Sequence, residues 1–200
     1  VDATGWDERY AASELVWSLG PNQFVADQVA DLPPGRALDL AAGEGRNALW
    51  LAARGWTVTA LDFSTVGVDK GRELAADRGV EVTWVVADAT EWRDEAAFDL
   101  VVVCYLQLAQ EPLAAALDNA AASLAPGGTL LVLAHDADNL ERGHGGPPDP
   151  ALLPDVTQVL RALEPHGLAM ASAGQVERHV ETDDGPRTAI DLLVRAVRPG

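Results

Sequence analysis

Short apolar runs alternate with helical segments along most of this chain. Residues 36–40, 57–61, 80–87, 98–103 and 129–133 are runs of strand length. Between them, residues 46–54, 68–78 and 112–124 have the pattern of helices. Strand and helix alternating over most of this length predict a mostly parallel sheet covered by helices. Residues 100–103 and 130–133 are apolar without interruption, as strands buried on both faces require. In the third run Val80, Val82, Trp84 and Val86 alternate with polar Glu81 and Thr83, which places that strand nearer an edge. With the third strand at an edge and the first and fourth central, the order is doubly wound, with its switch point beside the first strand.

The last third has a different pattern. Residues 138–150 are rich in Gly, Pro and charge and predict a long loop, and residues 151–163 predict a helix. Residues 168–181 and 187–197 flank the turn signal Asp183-Asp184-Gly185-Pro186 and predict an antiparallel hairpin. The expected fold is therefore α/β and Rossmann-like: a doubly wound, mostly parallel seven-stranded sheet with a C-terminal antiparallel hairpin. A length of 200 residues suits one domain with a sizeable core.

Composition narrows the partners. The chain has 31 acidic against 14 basic residues, a formal charge of −17. Affinity for nucleic acid rests mostly on Lys and Arg neutralising phosphates, so the charge argues against nucleic acid and against anionic membrane surfaces. Cys104 is the only cysteine, which excludes an intrachain disulfide and a cysteine metal cluster. The four histidines, His135, His144, His166 and His179, show no ligand spacing, so no metal is expected. Residues 1–10 are polar and acidic, unlike a signal peptide, and the longest apolar stretch, residues 100–108, is too short to span a bilayer. A cytoplasmic location is the simplest expectation, and the oligomeric state is left open.

The candidate chemistry centres on Leu38-Asp39-Leu40-Ala41-Ala42-Gly43-Glu44-Gly45-Arg46-Asn47, which follows a strand and opens a helix. Glycines there let a ligand approach backbone N–H groups, and a helix N-terminus favours an anion. A nicotinamide dinucleotide loop wants glycines at relative positions one, three and six. Here those positions hold Ala41, Gly43 and Arg46, which disfavours an NAD(P)-dependent oxidoreductase. Asp39, Asp62 and Asp88 stand at the ends of three successive strands. An acid about 20 residues beyond a glycine loop can accept from both hydroxyls of an adenosine ribose. Asp62 has an alternative role as a helix cap, which Ser64 can also fill, and Asp88 alone is as well explained as a turn residue.

Together these features resemble the class I S-adenosylmethionine-dependent methyltransferases, with Ala41 replacing the first glycine of an Asp-x-Gly-x-Gly-x-Gly loop. Gly45-Arg46-Asn47-Ala48-Leu49-Trp50-Leu51-Ala52 is similar to the branch holding the tellurite-resistance and thiopurine methyltransferases. Leu124-Ala125-Pro126-Gly127-Gly128-Thr129-Leu130, Trp6-Asp7-Glu8-Arg9-Tyr10 and Trp17 also resemble that family. The resemblance implies a single methyltransferase domain over 1–200, with 1–34 as N-terminal helices or lid, 35–136 as cofactor-binding core, and 137–200 as loop, helix and hairpin. It implies S-adenosyl-L-methionine as cofactor, S-adenosyl-L-homocysteine as product and a small-molecule methyl acceptor. It gives Asp39, Ala41, Gly43 and Gly45 to the loop around the methionyl part, Asp62 and Phe63 to the ribose side, and Asp88 and Ala89 to adenine. Arg9 is then a candidate for the methionine carboxylate, with a surface salt bridge as its alternative.

The acceptor belongs past the carboxyl ends of the strands. Tyr105 follows the fourth strand and His135 the fifth, and both are candidate catalytic residues, His135 as general base because imidazole titrates near neutrality. A hydrogen-bonded structural histidine is the alternative. Trp17, Arg142 and His144 are expected to bound the acceptor pocket, while Cys104, with apolar neighbours, is expected in the core. A catalytically inactive cofactor-binding partner or regulatory protein would carry the same acids.

Overall fold

The computed structural model describes residues 3–13, 20–94 and 97–200. Its five parallel strands are β1 (Arg36–Leu40), β2 (Thr57–Asp62), β3 (Val82–Val86), β4 (Phe98–Cys104) and β5 (Leu124–His135). The hairpin strands β6 (Ala169–Val180) and β7 (Arg187–Val197) complete one seven-stranded sheet in the order β3-β2-β1-β4-β5-β7-β6. β7 pairs antiparallel with both β5 and β6. The fold is the one expected, and its switch point lies between β1 and β4.

The helices α1 (Ala3–Ala11) and α2 (Gln23–Val29) precede the sheet. α3 (Arg46–Ala53), α4 (Thr65–Arg78) and α5 (Gln110–Ala122) connect its strands. The short α6 (Asn139–Arg142) and α7 (Val156–Leu163) follow β5. One apolar cluster joins Leu38, Leu40, Leu117, Leu130 and Val159 between the sheet, α5 and α7. A second joins Val25, Leu51, Val58, Leu100 and Leu131 on the opposite face. Burial on both faces explains the uninterrupted apolar runs of β4 and β5.

Boundaries differ from the sequence pattern where local chemistry intervenes. β3 begins at Val82 because Val80 donates to Ala75 O, and with Gly79 in the left-handed region it closes the end of α4. α7 begins at Val156, not near residue 151, because Asp155 and Gln158 form a reciprocal cap there. The segment expected as a plain loop contains α6 and is tied down. The buried Asn139 donates to Gly145 O and accepts from Ile190 N, at 2.8 and 2.7 Å. No helix among the described residues is long and apolar enough to cross a membrane.

Candidate active site

At the switch point the chain leaves two adjacent parallel strands in an unusual way. Ala41, after β1, and Tyr105, after β4, both have positive φ, 62° and 57°. For residues with a Cβ this region is disfavoured, and such strain concentrates at functional sites. Between these turns lies a cleft lined by Ala41, Gly43, Asp39, Asp62, Phe63 and Tyr105, with Arg46, Asn47, Cys104 and residues 106–108. Trp6 and Tyr10 from α1 form another part of its wall.

Two buried carboxylates face this cleft. Asp39 Oδ2 accepts the Ala48 N–H at 3.0 Å, which fixes the start of α3 against β1. Burial pushes the Asp39 carboxyl up to about 7, against the lowering effects of that N–H and of the Arg46 charge. Asp62 accepts from Gly43 N through Oδ2 at 2.8 Å and from Ser64 N through Oδ1 at 2.9 Å. Burial raises its pKa too, and these N–H groups oppose the rise. Ser64 caps α4 through its own hydroxyl, which accepts from Gly67 N at 3.0 Å, so Asp62 is not needed as that cap. Each carboxylate has more acceptor sites than the N–H groups it receives, which leaves capacity for a ligand.

The two glycines of the loop have different jobs. Gly43 lines the cleft and gives its N–H to Asp62. Gly45 lies outside the lining. A Cβ on it would stand 2.3 Å from Trp84 Cη2, and one on Gly71 of α4 would stand 2.2 Å from the same atom. Gly45 thus lets the N-terminus of α3 sit against Trp84 of β3.

The N-terminal helix covers the loop. Tyr10 is buried, Asp7 Oδ1 accepts from the Ser64 hydroxyl and from Val66 N, and Trp6 stacks on Tyr10 with centroids 5.6 Å apart. Lys70 Nζ donates to Tyr10 O at 2.6 Å and to Ser13 O, and lies 3.5 Å from Glu44 Oε1. One side chain thereby binds the N-terminal helix to the glycine loop. Arg9, a candidate for the cofactor carboxylate or for a surface salt bridge, is exposed and holds its guanidinium over the Trp6 ring at 4.8 Å, while Arg46 lines the cleft. Trp17 lies outside the described residues.

The remaining expected residues do not converge as one pocket. Asp88 is exposed, and its Oδ1 accepts from Thr90 N and Thr90 Oγ1, both at 2.8 Å, outside the cleft lining. Ala89 is buried beneath it, with its carbonyl accepting from Asn119 Nδ2 at 3.0 Å. Arg142 pairs with Asp138 at 2.7 Å, and with His144 it borders a separate hollow against the β6–β7 turn. Cys104 is only half-buried and lines the cleft, and burial pushes its thiol up to about 11, so it stays protonated.

Tyr105 and His135 are neighbours, with ring centroids 4.7 Å apart, but only Tyr105 lines the cleft. Both lie against Asp191, a fully buried residue of β7 that sequence reading missed. The Tyr105 hydroxyl donates to Asp191 Oδ2 at 2.6 Å and accepts from Arg178 Nε at 3.1 Å. Arg178 Nε also donates to Asp191 Oδ2 at 2.8 Å. His135 Nδ1 lies 2.9 Å from Asp191 Oδ1 without hydrogen-bond alignment. Burial, then the negative charge of Asp191, drive the Tyr105 pKa above its ordinary value, so its hydroxyl is a donor and no base. Only the β5–β7 register, which sets His135 opposite Asp191, brings these residues together.

Comparison with known proteins fits this geometry. Residues 37–128 match the family model described as a methyltransferase domain. The fold is that of the class I methyltransferases. The chain is 37% identical over 123 residues to a demethylmenaquinone methyltransferase of Clavibacter sepedonicus, 60% of this chain and 47% of that protein. It thus spans about half the length of the curated relatives it matches. Among solved structures it is similar to the N-methyltransferase NodS from Bradyrhizobium japonicum in complex with S-adenosyl-L-homocysteine, with TM-score 0.73, 19% identity and 100% of both chains covered. A protein of echinomycin biosynthesis, from work on conversion of a disulfide bond into a thioacetal group, gives TM-score 0.79 at 22% identity, covering 98% of this chain and 91% of that one. TehB from Haemophilus influenzae gives 0.73 at 18%, covering 89% and 62%, so the likeness does not single out the tellurite-resistance branch. At these identities the structural likeness is one of fold.

Proposed function

We propose that this chain is an S-adenosylmethionine-dependent methyltransferase acting on a small-molecule acceptor. The observation that carries the reading is the pair of buried carboxylates, Asp39 and Asp62, on neighbouring strands around Gly43 in a cleft roofed by Trp6 and Tyr10. Such a cleft suits a ligand with an ammonium group, a pair of hydroxyls and a flat ring. Asp39, whose carboxyl is pushed up to about 7, gains most from a cation beside it. Asp62 has acceptor capacity left for ribose hydroxyls, and Phe63 follows it along the wall. Arg46 supplies positive charge for a carboxylate in the place expected of Arg9. The adenine-side roles of Asp88 and Ala89 rest on family resemblance.

S-adenosylmethionine supplies a sulfonium methyl as electrophile. The protein's part is to align the acceptor and exclude water. Trp6 and Tyr10 exclude water from one side, and the Tyr105 ring bounds the acceptor side. His135 is the candidate base, with its Nδ1 2.9 Å from Asp191 Oδ1. A thiol or phenol acceptor needs only a weak base. The demethylmenaquinone methyltransferase relative acts, by its name, on a small molecule, which favours a small acceptor here. Calorimetry with S-adenosylhomocysteine and NAD(P), followed by turnover of labelled cofactor with candidate acceptors, tests the reading. Binding of the sulfur ligand alone supports it, tight NAD(P) binding alone rejects it, and binding without turnover favours an inactive partner protein.

A further inference from the structure

After Cys104 the chain follows the cleft wall as Tyr105, Leu106, Gln107 and Leu108. Leu108 also lines a second hollow, a groove between α5 and α7. Leu113, Leu117 and Leu153 form its buried floor, and the small side chains of Ala114, Ala151 and Ala162 leave its space open. Its polar lining consists of Gln110 and Gln158, with the charged residues Glu111 and Arg161 exposed. Both helices start at the edge of the sheet where the cleft lies. α5 follows β4 after a short connection, and Ala137 N donates to Pro154 O at 3.1 Å, tying the approach to α7 to the end of β5.

We propose that this groove binds an aliphatic tail on the methyl acceptor, whose reacting head lies in the cleft beside Tyr105. The proposal rests on the transferase reading and adds a substrate class to it. Proximity decides the occupant: Leu108 lines both the cleft and the groove, so a chain attached to a molecule in the cleft reaches the groove by turning past Leu108. The lining decides the chemistry. The leucine floor rewards burial of methylenes, while the charged Glu111 and Arg161 stand exposed at the rim. Ala114 and Ala151, where bulkier residues would fill the hollow, set its room.

Calorimetric titration of the full chain with 4-alkylphenols from ethyl to octyl, with and without saturating S-adenosylhomocysteine, tests this. Affinity is expected to rise about fourfold per added methylene until the groove is filled. Ala114→Phe, and Ala151→Trp at an exposed position as a second variant, should each abolish that rise while S-adenosylhomocysteine affinity stays within about twofold. A chain-length dependence that is absent in the unaltered protein, or that persists in both folded variants, overturns the groove. If its absence comes with dimerisation lost in the variants, the face serves a second copy of the chain. Failure of S-adenosylhomocysteine to bind strikes the transferase reading instead, and the cofactor-free titrations still decide the groove.

Discussion

The Tyr105 hydroxyl reaches across β5 to Asp191 on β7, at 2.6 Å. Burial alone would raise the Asp191 pKa, but His135, Arg178 and Tyr105 outweigh it and hold the carboxyl below the usual range. A depressed acid stabilises the fold above its unfolded pKa of about 4, and that contribution is lost as pH falls through the folded value. Asp191→Asn should therefore lower stability at pH 7, and the gap to the unaltered protein should narrow in acid. Tyr105→Phe, which keeps the ring, should cost about 1.5–3 kcal/mol for the hydrogen bond to a charged group. Urea unfolding at pH 7 and pH 3 measures both, and a gap independent of pH would contradict the ionised network.

Asp39 should couple cofactor binding to protons. Its raised pKa means that, without ligand, its stabilising contribution is present below about pH 4 and is lost as pH rises through about 7. An ammonium held beside it reverses that shift. S-adenosylhomocysteine affinity should then rise with pH up to about 7, with a proton released on binding near pH 6. Calorimetry in two buffers of different ionisation enthalpy reads the proton directly. Asp39→Asn should abolish the release, and an unchanged release would assign it to another group.

Asp62 holds structure as well as ligand. Since its two oxygens accept from Gly43 and Ser64, Asp62→Ala should lose about 1–3 kcal/mol of stability besides weakening cofactor binding about ten- to a hundredfold. Thermal melts with and without S-adenosylhomocysteine separate the two effects. A folded variant with unchanged affinity would remove Asp62 from the ribose site.

Gly45 is limited by Trp84 and by a φ of 79°. Gly45→Ala should cost about 2–4 kcal/mol, from the left-handed backbone and from overpacking. Trp84→Leu should remove the overpacking part, so the double variant should be less destabilised than the sum of the singles. Strict additivity in denaturant unfolding would show that the two side chains do not meet.

The sheet order was legible because burial leaves a direct trace. Two-sided burial made β4 and β5 continuous, and edge exposure made β3 alternate. The glycine loop and the acids at β1 and β2 were legible because strand ends and tight turns are local. Arg46 was noticed only as a missing glycine, although it lines the cleft. Asp191 and Arg178 left no signal at all, because their partner Tyr105 lies far away in sequence and only strand register unites them. The separation of Arg142 and His144 from Tyr105 was hidden for the same reason: Asp138 and Asn139 hold the Arg142 loop beside the β6–β7 turn.

Lys70 is the only lysine in the sequence, and its amine is occupied at the seam between the N-terminal helix and the glycine loop. An acylating reagent therefore has a single lysine target, and it reacts freely there only while Tyr10 and Ser13 have moved off. The rate of that one modification becomes a clock for opening of the roof, slowed by any occupant that keeps Trp6 and Tyr10 seated. Once acylated, the side chain can no longer pair with Glu44, so the reagent would also hold the roof ajar.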